Sequence, residues 1–382
     1  MNKLIFNFNT SNISSLILVF SITFLFLIQS LYGFVFIAFV LFCYSILFGN
    51  FKIERNDLCF VSAFTFLVIP TLIFLQHGFS HYFYYLLTLL CYFSAKSFSK
   101  LNLVDIFKAI RVLFWFYVLF SFFVYYKYRD LAEPFSGLIE GSSTNGIPSY
   151  LIVIQAVYSI LYYCINRRLP IVSSFFTLAV ALIGIGRGSI YISVLIVIIS
   201  VLFNFYFDFL ARRFLKVVFP LFFLLGGVFF ILINIDWVYH FLSARTKALQ
   251  GINDPYRNRI LIEYILKLEW WQVFVGGSFN NTVISSLYNG NPHIAYVRSH
   301  AYLGFFYFVF IIFSPFLFLI RMKCYRKFFV FLVFSVIILF RALSEPILFP
   351  TALDFFYILI FFIYFKSNDL RFEKMICKQD GY

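Results

Sequence analysis

Six side chains in this sequence have the chemistry to hold an anion and move a proton: Arg187, Arg245, Arg257, Arg259, Arg298 and His300. A guanidinium is planar, stays charged and binds two oxygens of an anion at once, so converging arginines suit a negatively charged ligand. A histidine, with an ordinary pKa of about 6.5, suits removal of the proton from an attacking hydroxyl. Each residue also has a plainer reading. Arg187 interrupts the apolar stretch "ALIGIGRGSIYISVL", residues 181–195, and is either a charge snorkelling to headgroups or a held binding group. Its flanks, Gly184, Gly186 and Gly188, favour the second by allowing close packing and unusual backbone angles. Arg245, Arg257 and Arg298 are either solvated loop charges or a converging set. His300 is either a base or an interfacial anchor, and His77, His81 and His293 read as structural. Arg341 and Glu345, spaced i, i+4, pair with each other, and Asp354 is a candidate to join them.

These residues need elements to carry them, and the composition restricts what those elements are. The 382 residues are 63% hydrophobic and only 12% charged, too apolar for a domain with a wet surface. Unbroken apolar runs of roughly 16 to 22 residues suit helices crossing about 30 Å of hydrocarbon, whereas barrel strands would alternate in and out. The expected fold is all-α, a polytopic transmembrane helical bundle forming a single integral membrane domain over 1–382. Spans are placed near 12–29, 32–48, 58–76, 81–97, 106–126, 147–165, 169–186, 189–206, 214–234, 301–320, 328–343 and 350–365, about twelve in all. Two long outer loops follow, 127–146 and 235–300.

Lysine and arginine concentrate on the side that both termini share, which places the termini in the cytoplasm. The net charge of +14 is then a consequence of topology and no sign of a nucleic-acid partner. All six cysteines fall in the cytoplasmic half, so no disulfide framework is implied, while all five histidines fall outside. The large outer loop contains a helix of its own. Pro255 suits its first position, and Ile260, Leu261, Tyr264, Ile265, Leu268 and Trp271 recur with helical spacing. Arg259, Glu263 and Lys267 form an i, i+4 series on the opposite side. The helix is amphipathic and is expected to lie along the outer surface, against lipid or against the bundle. Arg257 and Arg259 sit about 200° apart on it, so one ligand cannot take both, and Arg257 is preferred for its place near the anion-attracting N-terminus.

Three short motifs resemble the O-antigen polymerase and O-antigen ligase superfamily: "GIGRGSI" between two middle spans, the "DPYR" helix start in a large loop, and "RSHAYLGFFYF" opening the next span. The resemblance implies a multi-pass protein of the bacterial inner membrane, working at its periplasmic face as a metal-independent inverting glycosyltransferase without a cofactor. Its donor would be an undecaprenyl-pyrophosphate-linked glycan, with membrane lipid around it and a chain-length regulator as a further partner. Under this resemblance Arg187 and His300 are catalytic, and Arg187, Arg257, Arg245, Arg298 and Arg259 hold the pyrophosphate. A polymerase joining repeat units is preferred to a ligase delivering glycan to a lipid A core, because small, Phe-rich, weakly patterned chains look more like polymerases, and Ala301 follows His300 where ligases often carry asparagine. A lipid-linked oligosaccharide flippase is a third reading. Spans six to nine are nearly free of midplane charge, which disfavours it.

Overall fold

In lipid a backbone has no solvent to satisfy its polar groups, so an apolar chain must close its hydrogen bonds within each segment. The computed structural model follows this rule, and among the described residues every regular element is helical. The structure describes residues 10–27, 30–48, 52–138, 145–210, 233, 234, 236, 243, 255–322 and 324–367. The span expected at 214–234 and the candidate Arg245 lie largely or wholly outside these residues.

In chain order the helices are α1 (Thr10–Leu27), α2 (Leu31–Phe48), α3 (Arg55–Phe74), α4 (Ser80–Ser99), α5 (Leu103–Tyr128), α6 (Gly146–Asn166), α7 (Ile171–Ile183), α8 (Arg187–Leu210), α9 (Pro255–Leu266), α10 (Gln272–Val275), α11 (Val283–Leu287), α12 (Ala295–Phe313), α13 (Tyr325–Ala342) and α14 (Asp354–Ser367). Among the described residues five stretches are long and apolar enough to cross a membrane: Arg55–Phe74, Leu103–Tyr128, Gly146–Asn166, Arg187–Tyr206 and Ala295–Ile320. The chain divides into two compact units, residues 117–253 and the remainder, with the division passing through α5.

In the first unit α4 packs between α2 and α14, and α12 packs on α3 and α10. Polar stitches hold these apolar surfaces in register, as lipid-embedded helices require. The Ser97 hydroxyl donates to the Ser45 carbonyl at 2.8 Å, and Lys366 caps the end of α4 by donating to the carbonyls of Ser99 and Leu101 at 2.7 and 2.6 Å. Near the same end Asp57 accepts from Lys96 and from the Tyr92 hydroxyl, and Glu54 pairs with Lys96 and Lys100 at 3.4 and 3.3 Å. The Lys100 and Lys96 ammonium groups hold the Glu54 carboxyl below its ordinary range. Helix α12 is not continuous. Gly304 takes φ 80 and ψ 178, and a Cβ there would lie 2.4 Å from Thr71 Oγ1 and 2.9 Å from the Phe274 carbonyl oxygen, so glycine lets α3 and α10 close on the break.

The second unit is organised around α6, buried along nearly its whole length. Gln155 donates to Ser159 at 2.8 Å and accepts from Thr177 of α7 at 3.4 Å, and Ser174 of α7 meets Ser200 of α8 at 3.0 Å. Asn204 grips the amide and carbonyl of Leu169, both at 2.8 Å. Small residues and these bonds, worth about 1 kcal/mol each in lipid, replace the hydrophobic driving force that water would supply.

Candidate functional site

The 255–294 segment and the start of α12 together hold four of the six candidates, Arg257, Arg259, Arg298 and His300, in the first unit. Pro255 opens α9 as its ring geometry suits, but the helix stops at Leu266, short of the expected Leu268 and Trp271. There the Leu268 amide turns back to Ile265 at 3.2 Å, and the Gln272 side chain takes the Glu269 amide at 3.0 Å to start α10. One stripe of α9 is buried: Ile260 and Tyr264 pack with Phe279, Ile284, Ile294 and Val297 in a small core that the segment shares with the start of α12. Leu261 and Ile265, expected on the same apolar face, are exposed. Trp271 stacks on Phe74 with ring centroids 5.0 Å apart, whereas Trp270 is exposed.

Arg257 and Arg259 go to different partners, as their angular separation demands. Arg259 is spent on Glu263 at 2.8 Å in an exposed i, i+4 pair; that bond, together with the Val283 amide, holds the Glu263 carboxyl below its ordinary range. Lys267 leaves the expected series and donates to the Asn281 carbonyl. Arg257 reaches Glu345 at 3.1 Å, and Glu345 is shared with Arg341 at 3.5 Å. Exposure rises along this chain of charges, from 1% for the Arg341 side chain to 4% for Glu345 and 23% for Arg257. Two cations meet one anion here. Asp354 does not join them, contrary to expectation. Its carboxylate accepts from the amides of Phe349 at 2.9 Å and Thr351 at 3.1 Å and so shapes the turn before α14.

Arg298 is buried, its Nη1 has no hydrogen-bond partner, and its charge faces Tyr84, Tyr302 and Asp354. His300, expected to offer an open lone pair as a base, offers none in this geometry. Its Nε2 lies 2.8 Å from the Val273 carbonyl, which only accepts, so Nε2 carries the proton. Nδ1 is then the acceptor for the Tyr264 hydroxyl at 2.8 Å, and that hydroxyl in turn accepts the Gly277 amide at 3.0 Å. Burial raises the Tyr264 pKa, which keeps its phenol a donor. Tyr264 is the functional-site residue that periodicity alone hid, since it reads as one more apolar position of an amphipathic helix.

Two further histidines hold the same stretch from the other side. His77 Nε2 donates to the Gly277 carbonyl at 3.0 Å. The His77 backbone amide donates to His81 Nε2 at 2.9 Å, and His81 Nδ1 donates to the Tyr302 carbonyl at 2.8 Å. Gly276, at φ 94, presses onto α12 so closely that a Cβ would lie 2.4 Å from the His300 carbonyl oxygen.

Arg187 belongs to the second unit and is the first residue of α8, half-buried. The preceding turn is as tightly packed as its glycines suggest: a Cβ on Gly184 would lie 2.4 Å from Pro148, and one on Gly186 would overlap Asn145. The unusual backbone angle falls elsewhere than expected, on Ile185 at φ 65, an unfavourable place for a β-branched residue. A cavity of about 280 Å³ in the first unit is lined by Phe60, Phe64, Tyr307, Phe361 and other rings, with Asp354 in its wall. None of the candidate arginines lines it, and its apolar wall suits hydrocarbon and not a diphosphate. Among the described residues no three His, Cys, Asp or Glu side chains converge as a metal site. No protein-family model matches the chain, and no curated protein and no solved structure is significantly similar to it.

Proposed function

We propose that the chain is a membrane glycosyltransferase of the O-antigen polymerase type, joining undecaprenyl-pyrophosphate-linked repeat units at the periplasmic face of the bacterial inner membrane. The observation that carries this reading is the meeting of two guanidiniums at one carboxylate beside the first turn of α9, where the helix dipole also favours anions. Arg257 is the most exposed member of the set. As the sugar–phosphate bond breaks, the leaving pyrophosphate gains negative charge that Arg257 is suited to bind bidentately. In this reading Arg187, Arg245 and Arg298 are further cations that transfer needs, the chain has about twelve spans, both termini are cytoplasmic, and a chain-length regulator is a partner. The acceptor hydroxyl gives its proton to the Tyr264 oxygen while the Tyr264 proton passes to His300 Nδ1, since that lone pair is reached only through the phenol.

Cells carrying Arg187→Ala or Arg257→Ala are expected to lose long glycan chains and accumulate single lipid-linked repeats, with the protein still in the membrane at parental abundance. A parental chain-length distribution in both variants contradicts the reading. Supplying lipid A core and a second repeat unit separately as acceptors distinguishes ligase from polymerase. The flippase reading gains one feature, the break in α12 at Gly304, because transporters build sites at broken helices. Under that reading single repeats accumulate on the inner leaflet instead.

A further inference from the structure

The 272–279 stretch is clamped by imidazoles from two directions, His300 on α12 and His77 on the turn before α4. The partners force the protonation states. A backbone carbonyl can only accept and a backbone amide can only donate, so His81 must carry its proton on Nδ1, facing Tyr302, and keep Nε2 bare to receive the His77 amide. His300 has an escape on protonation, because the Tyr264 oxygen can accept from Nδ1–H. His81 has none: a second proton sets two N–H donors against each other across 2.9 Å.

We propose that docking of the 255–294 segment is gated by protons, with His81 as the lock and His77 as the bolt that reaches Gly277: neutral rings hold the segment down and a protonated His81 releases it. Tyr302 of α12 and Phe279 of the turn lie against the histidine rings, while Tyr84 on α4 and Arg298 on α12 act on Tyr302 and Tyr264 on α9 bonds to Gly277. Arg298 is the charged group among these, and its charge acts on Tyr302. Burial pushes His77 itself down to about 4. A histidine held below its unfolded value of about 6.5 contributes stability that is complete above that pH and fades as the pH falls toward the folded value. The segment carries Arg257, so its release would dismantle the proposed anion site. That consequence rests on the glycosyltransferase reading, whereas the latch does not.

The test is hydrogen–deuterium exchange of the full chain in lipid nanodiscs at about pH 7.5 and about pH 5, with labelling times scaled for the intrinsic chemical rate. Peptides covering residues 270–280 are expected to exchange about tenfold faster at the lower pH, a difference of about 1.4 kcal/mol in opening. His81→Gln, which cannot titrate in this range, is expected to flatten the response. Wild-type exchange that is the same at both values, or a His81→Gln protein that responds as the wild type does, overturns the proposal. Should His81→Gln fail to fold, His77→Gln keeps the lock and removes the bolt; its release midpoint is expected to move by about half a pH unit or more, and an unmoved midpoint overturns the coupling. A wild-type response in exchange together with no glycan transfer at any pH upholds the latch and rejects the functional reading.

Discussion

Glu345 separates two arginines that differ in what they lose when it is removed. Arg341 has no exposure and Glu345 is an ion-pair partner of it, so Glu345→Ala takes a carboxylate away from a buried cation. Breaking such a pair costs about 3 to 5 kcal/mol, and the apparent melting temperature in detergent is expected to fall steeply. Arg257→Ala leaves the Arg341–Glu345 pair intact and is expected to cost under about 1 kcal/mol, because its guanidinium is partly solvated. Equal melting shifts for the two variants would remove Arg257 from the exposed end of the charge chain. Tyr264→Phe is a second residue-scale test. It strands the Gly277 amide and the His300 lone pair, each costing about 1 to 3 kcal/mol, and stops the proposed proton path. Transfer should fall well beyond what the lost stability explains when rates are compared on folded protein alone. The sequence pointed to Arg257 and His300 by residue type and position near helix ends. It could not show that Glu345, almost ninety positions away, closes on Arg257 at 3.1 Å, since such pairing is set by tertiary packing and leaves no periodic signal.

At the scale of elements, apolar run length located the helices well and their interruptions poorly. Helices α2 to α8 lie close to the expected spans because a run long enough to cross lipid has little choice but to be helical. The break in α12 was illegible: "AYLGFFYF" reads as continuous apolar helix, and a lone glycine in a span is commonplace. What makes Gly304 special is the approach of Thr71 and the Phe274 carbonyl, both distant in sequence. Gly304→Ala must place a Cβ against both while holding φ at 80, a conformation costing roughly 1 to 3 kcal/mol for a residue with a side chain. Adding Thr71→Ala removes the nearer obstruction and leaves the backbone strain, so the double variant should recover part of the loss. Full recovery, measured as melting temperature, would show that crowding alone requires the glycine. The α7–α8 turn taught the reverse lesson. Its glycines signalled close packing correctly, yet the left-handed angle fell on Ile185, because Gly184 and Gly186 were needed where Pro148 and Asn145 approach.

Over the whole molecule, the ionisable groups of the first unit separate by kind along its helices. The loop-side ends of α3 and α4 near Glu54 and Lys100, joined by Lys366 of α14, hold lysines paired with carboxylates and carbonyls. The opposite ends, where α3 runs into His77 and α12 begins, hold histidines and the Arg257–Glu345–Arg341 chain. A lysine is compact and strongly hydrated and marks the cytoplasmic ends of spans, whereas an arginine keeps its charge in drier, bidentate contacts. If the positive-inside rule applies to this chain, the two ends lie on opposite sides of the membrane, with the lysine end inside. Cysteine placed at Tyr256, exposed on α9, and at Asn102, exposed in the α4–α5 connection, reads this directly once the native cysteines are replaced by serine. A membrane-impermeant maleimide applied to intact cells should label the first and reach the second only after the cells are broken. Labelling in the opposite order would put the arginine chain in the cytoplasm, facing no exported glycan, and with it would go the assignment of the leaving diphosphate to Arg257.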